Sequence, residues 1–124
     1  MNEKFEALKT VSEYLVNLIN GIEKAVEYFQ EGEERKGCDL ILPITEGIQW
    51  MSDALVVTKD VHKQDIDLKN INEKLNEIVD ALENGDFILI GDLFQYELTP
   101  ILKDIQNDIN KAIENYRWDK SDKL

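Results

Sequence analysis

The densest group of side chains able to do chemistry lies between Asp86 and Pro100, where Asp92, Tyr96 and Glu97 fall in an otherwise aliphatic run. Asp92 and Tyr96 are one helical turn apart and would share a face. Glu97 follows Ile90 and Phe94 at helical spacing and precedes Ile101, so it is expected on the core side. Pro100 lacks an N–H and leaves the Tyr96 carbonyl without its usual partner. A carboxylate facing a core must be paired, hydrogen-bonded or protonated. Two expectations follow. Either Asp92, Tyr96 and Glu97 line a polar pocket, with Trp50 beside it, for a small ligand or an enzymatic step, or Glu97 bonds a Tyr, a Trp or a freed backbone N–H and sets helix register. Asp92 and Glu97 would stand about 140° apart on an ideal helix, which weighs against the pocket.

The other reactive types are sparse. There is one cysteine, Cys38, and one histidine, His62, so neither an intrachain disulfide nor a Cys/His zinc site can form. The Glu-x-x-His pairs of di-iron bundles are missing as well, and no metal or other cofactor is expected. Arg35 and Lys36 stand close enough to Cys38 to lower its pKa, but no His–acid pair supports it as a nucleophile. His62 reads as a solvated residue of an inter-helix link. Gly-x-Gly-x-x-Gly, Walker and Gly-x-Ser-x-Gly motifs do not occur, so the chain is expected to be non-enzymatic.

The elements that would position these residues are helices. Apolar positions from Phe5 through Leu8, Leu15, Ile19, Ile22 and Val26 to Phe29 alternate in steps of three and four, predicting a helix over residues 3–30. Asn2 is its expected N-cap and Gly32 its C-terminal stop. A second helix, over 33–58, carries two stripes. One is Ile41, Ile44, Ile48, Met51 and Leu55; the other is Leu40, Pro43, Gly47, Trp50, Ala54 and Val57. Pro43 predicts a kink near residues 39–43, or a helix that restarts with Pro43 in its first turn. After a polar link at 59–64, Leu68, Ile71, Leu75, Ile78 and Leu82 mark a third helix, capped by Asp65 or Asp67 and ended by Asn84-Gly85. Asp86 then caps a fourth, which runs through Ile90, Phe94, Leu98, Ile101, Ile105 and Ile109 to Tyr116.

The expected fold is all-α: an up-down-up-down antiparallel four-helix bundle with kinks near Pro43 and Pro100. Residues 1–118 form its single domain, and 119–124 a flexible tail. The chain has 124 residues, with 14 Lys and Arg against 26 Asp and Glu, a net charge of −12. That balance disfavours nucleic acid and anionic membrane surfaces, and 43% apolar content still supplies a core. No secretory leader or membrane span is read, so a cytoplasmic location is expected.

The segment from Asn84 to Leu102, with its Asn-x-Asp start, aliphatic run, Asp92-Leu93, Tyr96-Glu97 and Pro100, resembles a family of small uncharacterised all-helical proteins of low-GC Gram-positive bacteria. Gly47-Ile48-Gln49-Trp50 is similar to a second patch shared by them. The resemblance covers residues 15–105, brings no assigned activity, and implies an occasional association with motility genes. In size and helical plan the chain is also similar to flagellin export chaperones, although their N-terminal pattern is missing. The expected function is protein–protein interaction, with a partner protein or a second copy of the chain. The supporting feature is more apolar helix face than four helices need, notably on the second helix and at 87–93. An exposed Trp118 would suit the same role.

Overall fold

A computed structural model describes residues 3–122, with side chains described to Arg117. The described residues are helical nearly throughout and include no strand. Helix α1 spans Glu3–Gln30, α2 Glu34–Val57, α3 Lys59–His62 and α4 Leu68–Glu83. The last long helix is composite: α5 (Phe87–Asp92) passes into a π-helical segment (Leu93–Leu98) and then into α6 (Thr99–Asp122). Asn2, the expected first cap, lies outside the described residues, as does the Trp118 side chain. The backbone helix of the last element is described as far as Asp122.

Two of the connections follow from glycine. Gly32 and Gly85 have φ of 78° and 66°, a region that side-chain-bearing residues rarely adopt. Each sits where its helix ends in a Schellman turn: Glu33 N–H donates to the Tyr28 carbonyl at 2.8 Å, and Asp86 N–H to that of Ala81 at 2.9 Å. The next helices then start at once. The Asp86 carboxylate accepts from Leu89 N–H at 3.1 Å, and Asp67 caps α4 by accepting from Asn70 N–H at 3.1 Å.

The long link differs from its expected form. Residues 59–62 wind into α3, closed by Lys63 at φ 56°. His62 is buried, at 3% exposure, rather than solvated. Its Nδ1 accepts from Gln64 N–H at 2.9 Å, so Nε2 carries the proton and donates to the Leu55 carbonyl at 2.9 Å. Thr58 also bonds back into α2, its hydroxyl donating to the Ala54 carbonyl at 2.7 Å.

Helix α1 is the hub. It packs on α2, α5, the π segment and α6, while α4 lies mainly against α5 and the π segment. The core joins Leu8, Leu15 and Ile22 of α1, Ile48 and Met51 of α2, Ile71 and Ile78 of α4, and Ile90, Phe94, Leu98, Leu102 and Ile109 of the composite helix. Helix α2 runs unbroken through Pro43, so it does not restart there.

At Pro100 the chain accommodates proline by widening the turn before it. Ile90, Phe94, Leu98 and Leu102 are all fully buried at steps of four. On a regular helix such a stripe would drift by about 40° per step, or about 120° in all. The i→i+5 turns absorb that drift. They also let the Thr99 N–H reach the Phe94 carbonyl, which takes the Thr99 hydroxyl as well, at 2.8 Å.

Candidate functional site

The widened turn relocates the residues that sequence spacing grouped together. Glu97 is exposed rather than core-facing, because the segment that keeps Leu98 inward turns Glu97 toward α4. There its carboxylate meets the Lys74 ammonium at 2.8 Å, and Glu77 stands 3.4 Å from the same group. The hydrogen bond that Lys74 donates to Glu97 raises the Lys74 pKa above its ordinary 10.5; desolvation opposes that shift and the charge of Glu77 adds to it. Asp92 is exposed, and Tyr96 is 69% exposed. The pocket expected from Asp92, Tyr96 and Glu97 does not form.

Glu97 borders an open cleft of about 430 Å³ between α4 and the α5–π junction, with Glu77, Asp80 and Asp86 on its walls and Leu89 and Leu93 among its apolar residues. Lys74 is the single cation lining it. Among the described residues no group of three or more His, Cys, Asp or Glu is arranged to hold a metal ion.

Trp50 belongs to a different place. It stands on α2, 44% exposed, with its indole edge-on to the Tyr14 ring of α1 at 5.0 Å between centroids. The Tyr14 ring lies against Gly47, where an added Cβ would collide with the tyrosine hydroxyl. The missing side chain at Gly47 is therefore what gives the Tyr14 ring its place in the α1–α2 seam. The result is a cleft of about 440 Å³ along the α1–α2 seam, lined by Thr10, Tyr14, Pro43, Glu46, Gly47 and Trp50. A second hollow continues it past Pro43 to Asn17, Gly21 and Leu40. Tyr14 and Pro43 line both, so the two make one groove.

The outward side of α2 carries further apolar residues on either side of the exposed row Asp39, Glu46 and Asp53. Leu42, Val56 and Val57 are each more than 60% exposed, and Val16 of α1 is 49% exposed. By length and mean hydropathy (1.2 over its most apolar window), α2 is the one helix among the described residues able to cross a membrane, a feature sequence reading missed. In the fold that apolarity divides between the buried row Ile41, Ile44, Ile48, Met51 and Leu55 and the outward rows around Trp50. Sequence reading had marked Trp50, and the second stripe of α2 already held Pro43 beside it; Tyr14, off the main stripe of α1, carried no such signal.

Cys38 is half-buried, and burial pushes its thiol above the ordinary value, helped by the charges of Asp39 and Glu34. This reverses the lowering expected from Arg35 and Lys36: burial of the thiol outweighs it, and the neighbouring carboxylates add to the rise.

Neither a curated protein nor a solved structure matches the chain significantly. A family profile does match, over residues 6–108, a span that takes in the α1–α2 groove, the π segment and most of the core. The chain belongs to that family, described as a domain of unknown function, DUF8042.

Proposed function

We propose that this chain is a non-enzymatic protein–protein interaction module, an adaptor or chaperone-like helical bundle that engages a partner through the α1–α2 groove. The observation that carries the proposal is the row Pro43, Gly47 and Trp50 packed beside Tyr14, with Val57 left exposed further along the same face of α2. Buried aromatic anchors ringed by apolar contacts are the usual centre of a binding surface. In this reading α1, α2, α4 and the composite α5–α6 helix form an up-down-up-down antiparallel bundle, bent locally at Pro43 and Pro100. The short connections at 31–33 and 84–86 support that arrangement. A cytoplasmic setting and a link to motility rest on composition and on the family resemblance.

The test is capture from native cells, comparing the wild-type chain with Trp50→Glu and with Asp104→Lys, a charge change on α6. The proposal expects at least one protein retained by the wild type and Asp104→Lys but lost with Trp50→Glu. Identical retention by all three would refute the assignment of the groove.

A further inference from the structure

Resting on that reading, we infer that the groove takes an amphipathic helix of a partner protein, whose apolar stripe is bordered by Lys or Arg at seven-residue spacing. Asp39, Glu46 and Asp53 recur every seven residues, all exposed, in the row next to Pro43, Trp50 and Val57. Among the described residues none of the three stands within ion-pair distance of a cation, whereas Lys9, Lys24, Lys36 and Lys74 are each paired with a glutamate three residues away in sequence. Glu46 itself lines the cleft. The groove thus has an apolar floor and one acidic lip whose charges no cation among the described residues pairs; Asp53 accepts only a neutral hydrogen bond, from Gln49 Nε2 at 3.0 Å.

The spacing selects a helix. Charges seven residues apart on α2 stand about 10 Å apart along its axis. A helix lying alongside meets that interval with its own seven-residue repeat, keeping its cations on one edge of the apolar stripe. An extended segment would need a cation about every three residues, an odd step that sends alternate side chains to opposite faces. Charge also argues against a second copy: two chains of −12 would bring like-charged lips together.

The probe is a synthetic 21-residue helix with a Leu/Ala stripe and one row of three Lys at seven-residue spacing, measured by fluorescence anisotropy at physiological salt. The comparisons are the same peptide with Glu in that row, an uncharged version, and a Pro-interrupted version that cannot form a helix. The Lys-flanked helix should bind about tenfold more tightly than the Glu-flanked one. The triple variant Asp39→Asn, Glu46→Gln, Asp53→Asn should erase that preference, whereas Glu73→Gln, Asp104→Asn, Glu114→Gln, an equal charge loss elsewhere, should keep it. Equal weakening by both triples, or equal binding of the Pro-interrupted peptide, overturns the inference.

Uncharged-peptide binding that depends on Trp50 but shows no charge preference defeats the basic helix while leaving the groove as a binding site. Failure of every peptide to bind defeats the docking reading itself. A concentration-dependent dimer in sedimentation, abolished by Trp50→Glu, would assign the groove to a second copy instead.

Discussion

The π segment makes a prediction that separates helix phase from composition. Deleting Gln95, an exposed residue between Phe94 and Leu98, changes the buried spacing from Ile90 onward from 4-4-4-3-4 to 4-3-4-3-4, the repeat of a straight bundle helix. The turn can then close to ordinary α geometry with every core residue still inward. Two costs follow. The Thr99 hydroxyl bond to the Phe94 carbonyl is lost or rearranged, about 1 kcal/mol. Pro100 then lies within a regular helix and its ring crowds the Tyr96 carbonyl, about 3 kcal/mol. The double variant, Gln95 deleted with Pro100→Ala, removes the second cost and should unfold in urea within about 1 kcal/mol of the wild type. Deleting Lys103 instead, also exposed, turns Ile105, Ile109 and Ile113 by about 100°. Those three are buried, and exposing them costs roughly 5–9 kcal/mol, comparable with the whole stability of a small domain. That variant should not fold. Circular dichroism at 222 nm during urea titration reads both results. If the double variant unfolds as readily as the Lys103 deletion, the widened turn is not what keeps the stripe in phase.

His62→Ala should lower stability by about 2–3 kcal/mol in the same titration, because the Leu55 carbonyl and Gln64 N–H lose their partners inside the fold; a loss below about 0.5 kcal/mol would mean the link is not pinned there. The Lys74–Glu97 pair gives a pH dependence whose sign is set by the raised lysine. Its stabilisation is present in full below the ordinary lysine value of 10.5 and is lost as pH climbs through the higher folded value, so the stability gap between wild type and Glu97→Gln should stay flat from about pH 7 to about pH 9 and close above 10.5. A gap that widens at alkaline pH would contradict the pairing. Cys38 should react with iodoacetamide at pH 8 more slowly than a free cysteine, since its raised pKa leaves less thiolate; faster reaction would show that Arg35 and Lys36 govern the thiol after all.

Helix positions were legible in the sequence because their signals are local. The stripe from Phe5 to Phe29, the Gly32 and Asn84-Gly85 stops and the Asp67 and Asp86 caps each depend on residues within a turn or two, and each is found where the spacing put it. Glu97 was misplaced because its orientation depends on the number of residues per turn, which the sequence does not display when proline lies two residues beyond the widened stretch. His62 was misplaced for a related reason. Its burial comes from α3 folding back on the end of α2, a contact seven residues long that hydrophobic periodicity does not register. For the candidate site, the double stripe on α2 correctly announced surplus apolar surface, but the partner across the seam, Tyr14, sits off the main stripe of α1 and declared itself only through Gly47.

The make-up of that seam is hard to explain by stability alone. Pro43 and Gly47 are the two residue types least suited to a helix interior, worth about 3 and about 1 kcal/mol against alanine. Pro43 is exposed, so no burial offsets its cost, and Trp50 leaves nearly half its surface in water. Gly47 has a packing reason, the Tyr14 ring; Pro43 has none within the core. A helix selected only to cover α1 would carry alanine or a charged residue at position 43 and a polar one at 50. Local rules broken together at one surface, with no core packing to compensate at Pro43, are the pattern expected where a binding demand competes with folding. Position reinforces the point: Pro43 lies at the junction of the two hollows and lines both, so it shapes the groove rather than either end of it.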